Sequence, residues 1–186
     1  MELMPALEPG WLNGWILICL LYLTYSILLI VHPKDVVKRL YDKSGRSQRH
    51  KVVLYVGSFF AFVYFGLIIF SPLKIGCAVF IPGIILYVLG LLGFVVALFN
   101  FKSTPPDQPI TSGLYRISRN PQQLMFYVAF IGICIAIGSW LALFVQIISS
   151  IFLHSRILAE EKACIEQYGD SYRGYMERVP RYFLFF

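Results

Sequence analysis

The sequence predicts an all-α integral membrane protein of about five transmembrane helices, the last two a tight hairpin, followed by a cytoplasmic helical tail. Three observations lead there. The 186 residues are 58% hydrophobic and only 14% charged, with a mean hydropathy of +0.70. A soluble chain of this length could not bury so much apolar surface, so lipid must be its main solvent. Uncharged stretches recur at the length of about 20 residues needed to cross a bilayer core. Basic residues gather beside those stretches, as the positive-inside bias requires.

The first stretch is Trp11–Val31. The residues before it carry Glu2 and Glu8 but no Lys or Arg, the wrong sign for a cleavable signal peptide, so it is expected to remain as a span. A basic loop comes next, with Lys34, Lys38, Arg39, Lys43, Arg46, Arg49 and Lys51. Val52–Ser71 and Ile75–Phe99 are the second and third spans, and Lys74 is the basic residue between them. In the third span Gly83, Gly90 and Gly93 permit close helix approach. Alternatively, Gly90 or Gly93 leaves room for a flat ligand ring against the backbone. Pro105-Pro106, within Asn100–Gln108, stops the third helix and stiffens the approach to Thr111.

Leu124–Leu153 is too long for one straight crossing. Gly138-Ser139-Trp140 at its middle predicts a turn with an interfacial tryptophan, giving short helices over 124–137 and 140–153. One strongly tilted crossing is the alternative. Charge favours two. Five crossings put the first loop, Lys102, Arg116, Arg119 and the basic tail (Arg156, Lys162, Arg173, Arg178, Arg181) on the cytoplasmic face, with the N-terminus outside and Lys74 alone opposite. Four would place the tail outside. The chain therefore reads as one membrane domain, 1–186, with 100–123 and 154–186 as cytoplasmic, site-forming segments. The tail is expected to be helical to about Tyr168, to stop at Gly169-Asp170, and to resume with Ser171 as cap until Val179-Pro180 ends it.

Several function classes are disfavoured. The formal charge is +6, but the basic residues flank apolar spans instead of forming a stripe with interleaved aromatics, which suits lipid headgroups and not nucleic acid. Cys19, Cys77, Cys134 and Cys164 are far apart and show neither disulfide nor zinc spacing. His32, His50 and His154 are isolated near span ends and read as interfacial residues, not as metal ligands. Ionisable groups are scarce at mid-span, which argues against a transporter. A non-catalytic lipid-binding scaffold stays open.

Two polar islands carry the chemistry, one over Thr111–Gln122 and the other over Arg156–Arg181. Arg116 and Arg119 are three apart at the membrane edge and could be headgroup anchors. Asn120-Pro121, however, starts the next span so that the N–H groups of Gln122, Gln123 and Leu124 lie at a helix N-terminus, an anion receptor. Glu160 and Glu161 point about 100° apart on a helix. They could be a solvated face, with Arg156 as an i,i+4 partner of Glu160. Otherwise one receives a ligand ammonium while the other orients a basic neighbour. Acidic acceptors plus basic donors suit an amino acid headgroup.

These segments resemble known motifs. Gly113-Leu114-Tyr115-Arg116-Ile117-Ser118-Arg119-Asn120-Pro121 is similar to the Gly-x-Tyr-x-x-x-Arg-His-Pro segment of integral-membrane methyltransferases, a group that includes isoprenylcysteine carboxyl methyltransferases and phospholipid N-methyltransferases. Glu160-Glu161 … Tyr168-Gly169-Asp170-Ser171-Tyr172-Arg173-Gly174-Tyr175 … Val179-Pro180-Arg181 is similar to the Glu-Glu … Phe-Gly-x-x-Tyr-x-x-Tyr … Val-Pro ending of that group. The resemblance covers roughly residues 85–182. It implies S-adenosylmethionine as methyl donor, bound on the cytoplasmic side. It also implies a pocket formed by Ile110, Gly113, Tyr115, Asn120, Pro121, Glu160 and Glu161, with an acid on the methionine ammonium. Arg119 and Arg156 would line the route by which a lipid substrate arrives, and Arg119, Asn120 and Glu161 would be the catalytic set.

Two positions depart from the pattern. Asn120 replaces the histidine of the isoprenylcysteine branch, as in the phospholipid branch, and Gln123 replaces a usual tyrosine. The C-terminal ending is closer to the isoprenylcysteine type. A carboxylate acceptor is already ionised at neutral pH, whereas an amine or thiol must first lose a proton. With arginines at hand, an isoprenylcysteine-type carboxylate steered by Arg119 is the first expectation and a phospholipid amine the second.

Overall fold

The computed structural model describes residues 1–41, 51–105 and 108–182. The loop residues Lys43, Arg46, Arg49 and His50, and Pro106 of the proline pair, lie outside these. Among the described residues there are seven α-helices and no strand: α1 (Trp15–Val31), α2 (Lys34–Leu40), α3 (Lys51–Phe70), α4 (Phe80–Lys102), α5 (Pro121–Ala136), α6 (Trp140–Tyr168) and α7 (Asp170–Arg178). Of these, α4 and α6 are long and apolar enough to cross a membrane, while α1, the Tyr55–Phe70 part of α3, and α5 are shorter apolar helices. Large side chains such as Ile30, Phe62 and Ile151 point outward from them. That is the expected finish for a surface wetted by acyl chains.

Local chemistry sets most helix ends. Pro33 follows α1, and His32 before it is extended (φ −82°, ψ 144°), as the residue preceding a proline should be. The third span begins later than hydropathy alone suggests. Residues 75–79 form turns, Gly76 adopts φ +83°, and Pro82 sits in the first turn of α4, where a missing N–H costs nothing. Similarly, Trp11–Gly14 precede α1 as a turn. The turn expected at 138–140 is present. Gly138 takes φ +67°, and Ser139 caps α6 by accepting from the Ala142 amide at 3.1 Å.

In contrast, nothing breaks the chain at residue 153. With 29 residues, α6 is about 44 Å long at 1.5 Å per residue. It therefore joins the last apolar span and Glu160-Glu161 in one rod. Gly169 (φ +57°) separates α6 from α7. Ser171 lies inside α7, whose N-cap is Gly169, so the expected serine cap does not form.

The central helix is α5, packed against α4 on one side and α6 on the other, with α3 along α6 and α1 against α3 and α4. Contact between α4 and α5 is backbone to backbone. Gly83 faces Ala136 and Gly132, Gly90 faces Ala129, and Gly132 faces Tyr87, while the Met125 side chain fills the space over Gly93. Gly83, Gly90 and Gly132 therefore serve helix packing: the Ala129 backbone stands where a ligand ring against Gly90 would lie, and at Gly93 the Met125 side chain occupies that space. Hydroxyls seal the aromatic core, with Tyr64 donating to the Phe130 carbonyl (3.0 Å) and Tyr87 to that of Leu17 (2.9 Å).

At one end of the bundle an N-terminal strap ties the helix connections together. The Glu2 amide donates to the Gly138 carbonyl, the Trp140 amide to that of Glu2, and the Leu73 amide to that of Leu12. Asn13 is buried and bridges the carbonyls of Glu8 and Ile69. The candidate site lies at the other end, where α4 finishes, α5 starts and α6 runs out toward α7.

Candidate functional site

The connection from α4 to α5 is held from both sides. Asn100, in the last turn of α4, accepts from the Leu114 amide at 3.0 Å. That close approach requires a glycine at 113, where φ is +59° and a Cβ would strike the Asn100 side chain. Gly113–Arg116 then forms a 3-10 turn. Tyr115 is buried there, its carbonyl accepts from the Tyr175 hydroxyl (2.7 Å), and its own hydroxyl accepts from Gln122 Nε2 (2.9 Å). Burial pushes the Tyr175 and Tyr172 hydroxyls well above the ordinary phenol range, with Arg119 pulling the other way. Both therefore remain protonated donors. Tyr175→Phe should remove this buried bond between α7 and the turn and cost about 0.5–1.5 kcal/mol, read as a lower melting temperature with α7 loosened in hydrogen exchange.

Glu161 is the hub. Its Oε1 lies 3.3 Å from Arg119 Nε and 3.3 Å from Asn120 Nδ2. Its Oε2 accepts from Arg181 Nε (3.0 Å) and Nη2 (2.9 Å). The Arg119 Nε–H is close but not aligned, so that buried atom lacks a directed acceptor, although Nη1 donates to the Met176 carbonyl at 3.2 Å. The Glu161 hydrogen bond raises the Arg181 guanidinium pKa further. Backbone contacts lock the same pieces together: the Arg119 amide donates to the Pro180 carbonyl (3.0 Å) and the Ser118 hydroxyl to that of Arg181 (2.9 Å).

Glu160 differs from its neighbour. It is half-exposed and accepts from Arg156 Nε at 2.8 Å and from Gln123 Nε2 at 3.5 Å. Of the two acids, Glu161 orients basic neighbours and Glu160 is within reach of a solute.

The residues singled out in the sequence divide accordingly. Arg119, Asn120 and Glu161 meet directly, and Glu160 pairs with Arg156. Pro121 is buried at the first position of α5. Because the Asn120 side chain turns to Glu161, α5 starts with no side-chain cap. Gly113 and Tyr115 reach this group through the 3-10 turn and α7. Ile110 is half-buried ahead of that turn and is not among the residues that meet at Glu161. Arg119 is turned inward instead of lining an open route. Sequence reasoning missed Arg181 as the second cation on Glu161. The only hint was chemical, since a buried carboxylate flanked by a surplus of arginines draws more than one.

A sequence model of the phospholipid methyltransferase family matches residues 67–171, from the end of α3 to the start of α7. No curated protein and no solved structure matches the chain.

Proposed function

Starting from a chain that belongs to the phospholipid methyltransferase family, we propose that it transfers the methyl group of S-adenosylmethionine to the amine of a membrane phospholipid. The observation that carries this reading is the placement of a half-exposed carboxylate, Glu160, beside a charge-satisfied buried one, Glu161, against the uncapped start of α5. This donor set suits a methionine headgroup. Glu160 with Gln123 would hold its ammonium, and the first amides of α5 its carboxylate. By the sequence resemblance, Ile110, Gly113 and Tyr115 would flank the rest. When bound, the group supplies an electrophilic methyl on a sulfonium. The protein's contribution is alignment and exclusion of water. Arg119, Asn120 and Arg181 act on Glu161 and thereby as positioning residues.

The same contacts bear on the acceptor. Among the described residues the one fully buried arginine or lysine is Arg119, and it is committed to Glu161. It is not free to receive a carboxylate, which counts against an isoprenylcysteine steered by Arg119. An amine must shed a proton, and α6 carries a His154 whose Nδ1 lies 2.7 Å from the Tyr182 hydroxyl, two residues before Arg156. That pair is a suitable relay.

Purified protein should bind S-adenosylmethionine in calorimetry, and radiolabelled methyl should appear in vesicle phosphatidylethanolamine. Absence of binding overturns the methyltransferase reading in favour of a lipid-binding scaffold. Label released by mild base from a prenylated cysteine restores the carboxylate acceptor.

A further inference from the structure

The end of the bundle opposite Glu161 carries a surface that the proposed reaction does not use. All three tryptophans of the chain are there: Trp11 on the N-terminal strap, Trp15 at the start of α1 and Trp140 at the start of α6. Trp11 is 87% exposed. Leu3, Met4, Leu7 and Leu12 of the strap point outward with it. So many large apolar side chains on so short a segment do not suit contact with water, and tryptophans gathered at one level mark a membrane interface. Charge is sparse. Among the described residues of the strap and of the 71–79 and 137–140 links, the charged side chains are Glu2 and Lys74, which pair at 2.8 Å, and Glu8.

Helix length sets the depth of this end. With 17 residues in α1 and 16 in α5, the two are about 26 and 24 Å long at 1.5 Å per residue. Exposed basic residues hold their other ends at headgroup level, Lys34 just after α1 and Arg116 shortly before α5. Across a hydrocarbon core of about 30 Å they therefore stop about 4–6 Å short of the far headgroups, and tilt widens the gap. The strap lies across these short ends. Its backbone suits a dry setting, where an unpaired polar group is expensive. Pro5 and Pro9 have no amide to satisfy, and the amides of Glu2, Glu8 and Gly14 donate to the carbonyls of Gly138, Phe70 and Ser71. The Trp15 indole donates to the carbonyl of Gly10. Outward side chains of α1 and α4, Leu20 and Ile81 among them, carry the same apolar surface onward from the strap. We infer that the strap is an in-plane membrane anchor whose partner is the lipid leaflet at this end. Leu3, Met4, Leu7 and Trp11 lie among the upper acyl chains, with Glu8 and the Glu2–Lys74 pair at headgroup level. That pair cancels its own charge and Glu8 is acidic, so attachment is apolar and requires no anionic lipid.

The native tryptophans provide the test. Trp15→Phe combined with Trp140→Phe leaves Trp11 as the single indole of the chain. In nanodiscs of pure phosphatidylcholine, lipids brominated near the headgroup end of the acyl chain should quench Trp11 several-fold more than lipids brominated near the chain terminus. Aqueous iodide should quench it several-fold less than free tryptophan. Iodide quenching equal to that of free tryptophan, or no preference for the shallow bromines, places the strap outside the leaflet boundary and overturns the anchor. The wild-type chain supplies a check that needs no substitution. Hydroxyl radicals generated in the water phase should oxidise Met4 several-fold less than Met176 of α7, although Met4 is the more exposed side chain in the protein alone. Faster oxidation of Met4 than of Met176 would also refute the assignment, and neither measurement depends on methyl transfer.

Discussion

Glu161→Gln is expected to abolish methyl transfer and to lower the stability of the solubilised protein by about 3–5 kcal/mol, the usual cost of removing one partner from a buried ion pair. Only 5% of the Glu161 side chain and 3% of the Arg119 side chain are exposed, so water cannot compensate the guanidinium left behind. An amide also presents an N–H₂ where Asn120 and Arg181 already donate. Stability and chemistry are separable here. Replacing both partners, Arg119→Met with Glu161→Leu, removes the stranded charge and should recover much of the lost stability, since buried ion pairs are often replaceable by packed apolar groups. Arg181 is partly exposed and can turn to solvent. Activity should not return, because the connection leading into α5 is then unanchored. The measurements are thermal melting in detergent and transfer of labelled methyl. Wild-type turnover by the double variant would show that the cluster is structural alone.

The second large effect is expected at Gly90. A Cβ there would land on the Ala129 backbone amide, which cannot yield as a flexible side chain would. Gly90→Ala should therefore cost about 1–3 kcal/mol despite the better helix propensity of alanine, and Gly90→Leu should cost more by forcing α4 away from α5. Gly66 provides the control. It is also helical, yet nothing lies within 4 Å of its added Cβ, so Gly66→Ala should be neutral or stabilise by about 0.5–1 kcal/mol. A comparable melting-temperature loss at both positions would contradict the backbone-contact account.

The features legible in the sequence are those that local chemistry decides. The Gly138-Ser139 turn and Gly169 each act within a few residues, and each ends or starts a helix where expected. Hydropathy overran the start of α4 because residues 75–79 are apolar enough to count as span, whereas Gly76 and Pro82 dictate turns. It also cut α6 at residue 153, since a change from apolar to polar alters the solvent of a helix without breaking it. Glu160 and Glu161 could be marked as a functional pair but not told apart. Their difference comes from Arg119 and Arg181, which stand 42 residues before and 20 after Glu161 and meet it only through tertiary folding. The two readings of Gly90 were likewise undecidable without knowing that Ala129 lies opposite.

The strap at the far end of the bundle fixes an order of assembly. Glu2 and Leu3 are bonded to residues 138–141, so these two residues find their partners only after some 135 further residues have been made. Until then Gly14 lacks its contact with Ile137 and the Lys74 amide lacks the Ala136 carbonyl to which it donates. Closure of that face is therefore a late step in biogenesis, set by completion of the α5–α6 turn.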